Sequence, residues 1–152
     1  LKAGMESFAG IRRRFETHLK TDKLTIIDDY AHHPEELLAS IKSVKALYEN
    51  KKVCGVFQPH LFTRTRDFYK DFAQALSFLD LVVLVEIYPA RELPIEGVSS
   101  KIIFDEVICN EKILTTKKDL ISVLKLQQFD VLLTIGAGDI DMYLPQIVEA
   151  LR

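Results

Sequence analysis

Apolar runs that each end in a group of polar residues constrain the fold of this chain most. Residues 81–85 are apolar throughout, as expected of a parallel strand that is covered on both faces. Between the runs, apolar residues recur at helical spacing, most clearly from 35 to 48. This alternation predicts an α/β fold that is Rossmann-like and doubly wound, with a mostly parallel sheet and helices on both faces. The four runs end at Ile27, Phe57, Val85 and Ile135.

The remaining segments fit the same plan. Residues 12–19 and 24–27 can pair as antiparallel strands at the N-terminal end. Residues 86–100 form a long, charged loop that we expect to be the most mobile element. Of the two roles open to it, a lid or a plain polar loop, we favour the lid. Further strands are predicted at 52–57, 112–114 and 131–135, and further helices at 101–107, 118–126 and 140–151, with another around Phe68, Phe72, Ala75, Leu76 and Phe78.

Composition narrows the class of protein. With 152 residues and 48% hydrophobic content the chain suits one domain with a sizeable core. A net charge of −2 gives no electrostatic footprint for nucleic acid or an anionic membrane. No apolar run reaches the roughly 20 residues that span a bilayer, and no secretory signal is visible. Cys54 and Cys109, which we expect as buried free thiols on strands, then favour a cytoplasmic protein. Because residues 1–10 lack an initiator Met, we expect a fragment of a longer polypeptide.

Each polar group follows the predicted carboxyl end of a strand. In open α/β sheets these ends share one edge, and ligands bind there. The first group, DDYAHHP at 28–34, offers two carboxylates, a phenol and two imidazoles just before a helix. The group fits a ligand site and a helix-capping polar loop about equally well. Neighbouring His32 and His33 at a helix start aim poorly at one ion, so no metal site is expected.

The later groups suit anions. Arg64 and Arg66, which follow His60, could hold a carboxylate or phosphate together. Cations at a helix start oppose its dipole, which favours an anionic ligand there. Gly136 and Gly138 form a tight turn suited to an anion or to a close backbone approach. The chain lacks a Walker A motif, so it cannot hold a nucleoside triphosphate in that manner unaided.

Five motifs together resemble the C-terminal domain of the Mur ligases, over almost the whole chain. Two of these motifs, DDYAHHP at 28–34 and FQPHLFTRTR at 57–66, are specific in combination. They resemble the alanine-adding branch of the family more than its sister ligases or the ligase that recycles murein peptides. One departure is Leu61, where many members carry an arginine after the histidine. The motifs are FAGIRRRFE at 8–16, DDYAHHP at 28–34, FQPHLFTRTR at 57–66, EIYPARE at 86–92 and GAGD at 136–139.

The resemblance implies that residues 1–152 are the third domain of a three-domain enzyme. Its N-terminal domain would hold the UDP-sugar, and its central P-loop domain would hold ATP and Mg²⁺. ATP would phosphorylate the lactyl carboxylate of UDP-N-acetylmuramate, and the amine of L-alanine would attack the acyl phosphate. The implied partners are these two substrates and the enzyme's own other domains, with no nucleic acid and no membrane.

The resemblance also implies roles for single residues. Arg14 would approach the ATP phosphates, and Asp29 would hydrogen-bond the ribose or its surroundings. His32 and Arg64 would be the catalytic pair. Two other functions stay open as alternatives to a ligase domain: a non-catalytic module that binds an amino acid or nucleotide, and a metal-dependent phosphoesterase that uses the Asp/His loop. The site for L-alanine and the acyl phosphate is implied at Tyr30, His32, His60, Arg64, Arg66, Gly136 and Gly138.

Overall fold

One mixed sheet organises residues 14–152, which are the residues that the computed structural model describes. The strands are β1 (Glu16–Lys20), β2 (Thr25–Asp29), β3 (Val53–Phe57), β4 (Leu81–Leu84), β5 (Glu111–Leu114) and β6 (Val131–Ile135). Their spatial order is β1-β2-β6-β3-β4-β5. β1 runs antiparallel to β2, and every other neighbouring pair is parallel. The predicted fold class is confirmed.

Helices cover both faces of the sheet, which is why the central strands β3 and β4 are apolar throughout. Along β6, Leu133 packs into the core on one face and Leu132 into the core on the other. The first face is covered by α1 (Pro34–Leu47), α2 (Phe62–Leu76) and α3 (Ser100–Glu106). The second is covered by α4 (Leu120–Lys125), a 3₁₀ turn (Ile140–Tyr143) and α5 (Leu144–Leu151).

β2 extends two residues further than the sequence predicts. We expected it to end at Ile27 and to leave both carboxylates in the loop, which is wrong. Asp28 lies opposite Thr134 of β6 and is 0% exposed. The Thr134 hydroxyl donates a 2.6 Å hydrogen bond to the Asp28 carboxylate. A satisfied buried carboxylate can therefore continue the strand.

Two other element boundaries differ for local reasons. β1 begins at Glu16 because Phe15 has a φ of +51°, which interrupts the extended chain. Arg14 therefore precedes the strand, and the predicted strand residues 12 and 13 lie outside the described range. The predicted closing helix is divided because Pro145, which has no N–H, lies in the first turn of a new helix.

Both cysteines are free, but only one lies on a strand. Cys54 is buried on β3, and burial raises the pKa of its thiol. Cys109 is half-buried just before β5, where its thiol donates to the Glu111 carbonyl at 2.8 Å. Among the described residues, no helix is both long and apolar enough to cross a membrane.

Candidate functional site

The loop after β2 is fixed to the start of α1 by hydrogen bonds. The Asp29 carboxylate accepts from the Ala31 N–H at 3.0 Å and from the Ser40 hydroxyl at 2.9 Å. At the helix start, the Glu36 carboxylate accepts the N–H groups of His33 at 3.0 Å and His32 at 3.3 Å. The resulting order holds the side chains of this loop in place without a ligand.

The Glu36 carboxylate is held in its ionised form. Burial alone would raise the pKa of Glu36. The hydrogen bonds from the His33 and His32 backbones, together with the two imidazoles, outweigh that effect and lower this pKa overall. An anion therefore persists beside His32 and His33 at the start of α1.

A row of aromatic rings joins the loops that follow β2, β3 and β4. The His32 ring centroid lies 5.2 Å from that of Tyr30 and 6.1 Å from that of His60. The His60 ring stacks on Tyr88 at 5.6 Å with an interplanar angle of 15°. Backbone hydrogen bonds fix the last contact: the Tyr88 N–H donates to the Pro59 carbonyl, and the Leu61 N–H donates to the Tyr88 carbonyl. We call this edge of the sheet the rim.

Arg64 is attached to the rim through His60. Its Nη1 lies 3.1 Å from His60 Nδ1. Because a guanidinium only donates, Nδ1 must accept, and the His60 proton is assigned to Nε2. Burial, then the charges of Arg64 and His32, lower the pKa of His60. His60 is therefore a neutral imidazole with an N–H donor on the rim.

The structure does not bring Arg66 together with Arg64. Positions two apart on a helix face different directions. Arg66 pairs instead with Asp67 at 2.9 Å and lines a separate depression beside Gly97 and Val98. The expected joint hold of Arg64 and Arg66 on one anion is therefore absent from this arrangement.

The long loop after β4 is anchored at several points. α2 begins at Phe62, and its N-cap residue, Leu61, has a φ of +75° and makes no side-chain cap. Glu92 supplies the cap instead, because its carboxylate accepts the Thr63 N–H at 3.1 Å and the Thr63 hydroxyl at 2.5 Å. Those hydrogen bonds from Thr63 lower the pKa of Glu92. Together with the backbone hydrogen bonds of Tyr88, this contact anchors the loop against the rim.

The two glycines of the fourth loop provide space for neighbouring groups. The Gly136 N–H already donates to the Asp29 carbonyl at 3.1 Å. A Cβ on Gly136 would lie 2.8 Å from the Gln58 carbonyl oxygen, and its φ is +149°. A Cβ on Gly138 would lie 2.5 Å from Gln58 Oε1 and 2.6 Å from Tyr88 Cγ. Of the two roles the sequence leaves open for this turn, the geometry fits close backbone approach.

Gln58 is the site residue that the sequence prediction missed. It is 0% exposed, donates to Asp139 at 2.7 Å and accepts the Ile140 N–H at 3.0 Å. Asp139 also accepts two hydrogen bonds from Lys117, at 3.0 and 3.1 Å. Burial would raise the pKa of Asp139, but the hydrogen bonds from Gln58 and Lys117 outweigh it and lower this pKa. The signal available in the sequence was a polar residue directly after the apolar run that ends at Phe57.

A depression of about 360 Å³ lies between the β2 loop and α1. Its lining includes Arg14, Asp29, Tyr30 and His32, together with Ser40. Arg14 is exposed there and could meet a phosphate, whereas two of the Asp29 acceptor positions are already used. The two residues expected to contact ATP and two of those expected to contact the amino acid, Tyr30 and His32, thus line one cavity.

The loop geometry also corrects the argument against a metal site. His32, His33 and Glu36 each place a donor atom within 4.8 Å of the other two. Consecutive histidines at this helix start do converge, because His33 is the N-cap residue with extended φ and ψ of −104° and 153°.

Comparisons with known proteins agree with one another. The family model described as "Mur ligase, glutamate ligase domain" matches residues 13–138. The chain is 57% identical over 151 residues to the UDP-N-acetylmuramate–L-alanine ligase of Parabacteroides distasonis, covering 99% of the chain and 33% of that relative. It is 50% identical over 153 residues to the enzyme of that name from Porphyromonas gingivalis, covering 100% of the chain and 34% of the relative.

Solved structures give the same result. The UDP-N-acetylmuramate–alanine ligase of Thermotoga maritima superposes with a TM-score of 0.78 at 30% identity, over 98% of this chain and 32% of that one. A murein peptide ligase from Psychrobacter arcticus superposes with a TM-score of 0.74 at 20% identity, over 98% of this chain and 32% of that one, which shows a shared fold. The chain spans about one third of the length of these relatives. It belongs to the Mur ligase family and corresponds to the C-terminal domain of those enzymes.

Proposed function

We propose that this chain is the part of an ATP-dependent ligase that receives L-alanine and joins it to UDP-N-acetylmuramate. The proposal rests on the rim, where His32, His60 and Arg64 gather beside the cavity that Arg14 and Asp29 line. It is supported by relatives of at least 50% identity that carry this name. Residues 1–152 would be one of three domains, with the UDP-sugar and P-loop domains outside the chain.

The reaction needs a nucleophilic amine and a stabilised oxyanion. ATP would phosphorylate the lactyl carboxylate, the L-alanine nitrogen would bond to the acyl carbon, and phosphate would leave with the bonding electron pair. His32 Nδ1 lies 3.0 Å from the Tyr30 carbonyl, so Nδ1 carries a proton and Nε2 can accept one. His32 would therefore position the amine and take up its proton.

Cations and donors on the rim would stabilise the charge that develops. The hydrogen bond from the Arg64 guanidinium to His60 Nδ1 fixes both side chains. It therefore preorganises two donors, the guanidinium itself and the His60 Nε2–H. Fixed donors of this kind stabilise an oxyanion in a closed, dry site without reorganisation. Gly136 and Gly138 would shape the amino-acid end by admitting Gln58 and Tyr88. Arg66 would not contact the substrate directly and would act on it only through the long-range electrostatic effect of its positive charge.

This chain would also contact the nucleotide. Arg14 would approach the phosphates from the lining of the 360 Å³ cavity. Asp29 would accept hydrogen bonds from the ribose hydroxyls at its remaining acceptor positions. Mg²⁺ would be bound mainly by the central domain and would lower the charge repulsion between phosphate and nucleophile. The proposal also places the reaction in the cytoplasm, where the free Cys54 and Cys109 thiols would persist.

Single substitutions in the full-length enzyme test the proposal. Arg64→Ala and His32→Ala should each cut L-alanine-dependent phosphate release by about 100-fold, since removing one such group costs about 3 kcal/mol of transition-state stabilisation. Circular dichroism should show both variants folded.

Matched controls use exposed residues of the same types away from the rim. His18→Ala on β1 and Arg152→Ala after α5 should keep wild-type turnover. Near-normal turnover in both Arg64→Ala and His32→Ala would rule out the proposed roles.

A further inference from the structure

We propose that His32, His33 and Glu36 form a binding site for a divalent transition-metal ion such as Zn²⁺ or Co²⁺. One donor atom from each residue lies within 4.8 Å of the other two. Two imidazoles and one carboxylate are a ligand set that such ions accept, with further positions left for water or another ligand.

The spacing of the donors suits one ion. Bonds of about 2.0–2.1 Å in a tetrahedral shell place ligand atoms roughly 3.4 Å apart. The donor atoms of His32, His33 and Glu36 lie within 4.8 Å of one another, so the widest gap to close is roughly 1.4 Å. His33 and Glu36 are both exposed, so small rotations of their side chains can close the remaining gaps without moving the core.

The surroundings of the cluster hold it in place. The Glu36 carboxylate is anchored by the N–H groups of His32 and His33, which leaves its second oxygen for a cation. His32 Nδ1 lies 3.0 Å from the Tyr30 carbonyl. A hydrogen bond of one ring nitrogen to a carbonyl is the usual way in which a protein orients the other nitrogen towards a metal.

Oxygen-preferring Mg²⁺ is a poor match to this ligand set. The site therefore differs from the Mg²⁺ of the proposed reaction. Its consequence for catalysis rests on the proposed function: an ion bound to His32 would occupy the imidazole assigned to the L-alanine amine. Zn²⁺ would then inhibit the full-length enzyme in competition with L-alanine.

Metal titration of the purified 152-residue chain tests the site without any enzyme assay. Co²⁺ should bind in one equivalent with visible absorption bands, and Zn²⁺ should displace it. His33→Asn and Glu36→Gln should each weaken Co²⁺ binding at least 10-fold, as loss of one ligand in three predicts. Both variants keep α1 intact, because Asn is a favourable N-cap residue and Gln serves in a capping box.

The chain contains a matched control. His18 on β1 lies beside its own carboxylate, with Nε2 3.6 Å from Glu16 Oε2, but it has no second imidazole. His18→Asn should leave Co²⁺ binding unchanged. Absence of saturable binding, unchanged binding in His33→Asn and Glu36→Gln, or equal weakening in His18→Asn would each overturn the site. None of these results depends on whether the full-length enzyme is a ligase.

Discussion

Single residues on the rim fit their positions through size as much as through charge. Gly138 lies against the Gln58 amide and the Tyr88 ring, so it leaves no room for a side chain. Leu61 keeps a φ of +75° because its N–H is bound to the Tyr88 carbonyl. Such backbone strain is found where the surroundings impose it, often at functional sites.

Gly138→Ala should destabilise this chain by about 1–3 kcal/mol, the usual cost of overpacking. The added methyl group must displace Gln58 or Tyr88, and NMR signals of Tyr88 and His60 should shift with them. Urea unfolding measures the free energy of unfolding.

Gly97→Ala is the control that separates the energetic cost of a steric clash from the cost of an unfavourable backbone conformation. No atom lies within 4 Å of a Cβ on Gly97, although its φ is +79°. Its cost should therefore come from the backbone alone, and the rim signals should stay in place. Unchanged stability and unshifted rim signals in Gly138→Ala would contradict the packing described here.

At the scale of elements, a buried amide connects the ends of two neighbouring strands. Gln58 follows β3 and holds both Asp139 and the Ile140 N–H after β6. Lys117, which follows β5, completes the contact through Asp139. The glycine loop therefore takes its position from side chains of three different strand ends.

Gln58→Glu should make the stability of this loop depend on pH. When protonated, the new carboxyl group can still donate to Asp139 and accept from the Ile140 N–H. When ionised, it places two carboxylates 2.7 Å apart in a buried site. Its pKa is therefore raised in the folded state, and the variant should lose stability relative to wild type as pH rises above about 4.3, the ordinary value for Glu.

Gln58→Met is the control for this titration. It leaves the buried Ile140 N–H without its acceptor, which costs about 1–3 kcal/mol at every pH. Urea unfolding at pH 5 and pH 8 should show a larger loss at pH 8 for Gln58→Glu only. Equal losses at the two pH values would show that the Gln58–Asp139 hydrogen bond is unimportant.

The sequence predicts elements better than it predicts side-chain directions. Apolar runs identified β6 to the residue and β3 to within one, because strands covered on both faces are nearly continuous apolar runs. β2 was placed too short because the partner of Asp28 is Thr134, 106 residues away along the chain. The buried role of Gln58 depends on contacts with residues 81 and 82 positions away along the chain. The separation of Arg66 from Arg64, in contrast, follows from helix geometry, which the sequence prediction did not apply.

At the scale of the whole molecule, the sheet brings loops from four strand ends to one edge. Hydrogen bonds link Asp29 to Gly136 and Pro59 to Tyr88, and the His32 and His60 rings meet edge to face at 6.1 Å. Two hydrophobic cores lie beneath this edge, one on each face of the sheet. The rim is therefore preformed, whereas the proposed reaction needs a P-loop that the sequence does not contain.

The isolated 152-residue chain should accordingly be folded and inactive. Urea should unfold it in one cooperative transition, and it should release no phosphate from ATP with UDP-N-acetylmuramate and L-alanine present. Adding the remaining domains in one polypeptide should restore turnover. Ligation by the isolated chain would contradict the division of labour proposed here.

Substrate protection of the four histidines tests the central claim most directly. The full-length enzyme, bound to UDP-N-acetylmuramate and a non-hydrolysable ATP analogue, would be treated with diethyl pyrocarbonate, and acylation of each histidine measured by mass spectrometry. We expect L-alanine to protect His32 and His60 strongly and to leave His18 unchanged. Equal acylation of His32 and His60 with and without L-alanine would show that the amino acid binds elsewhere.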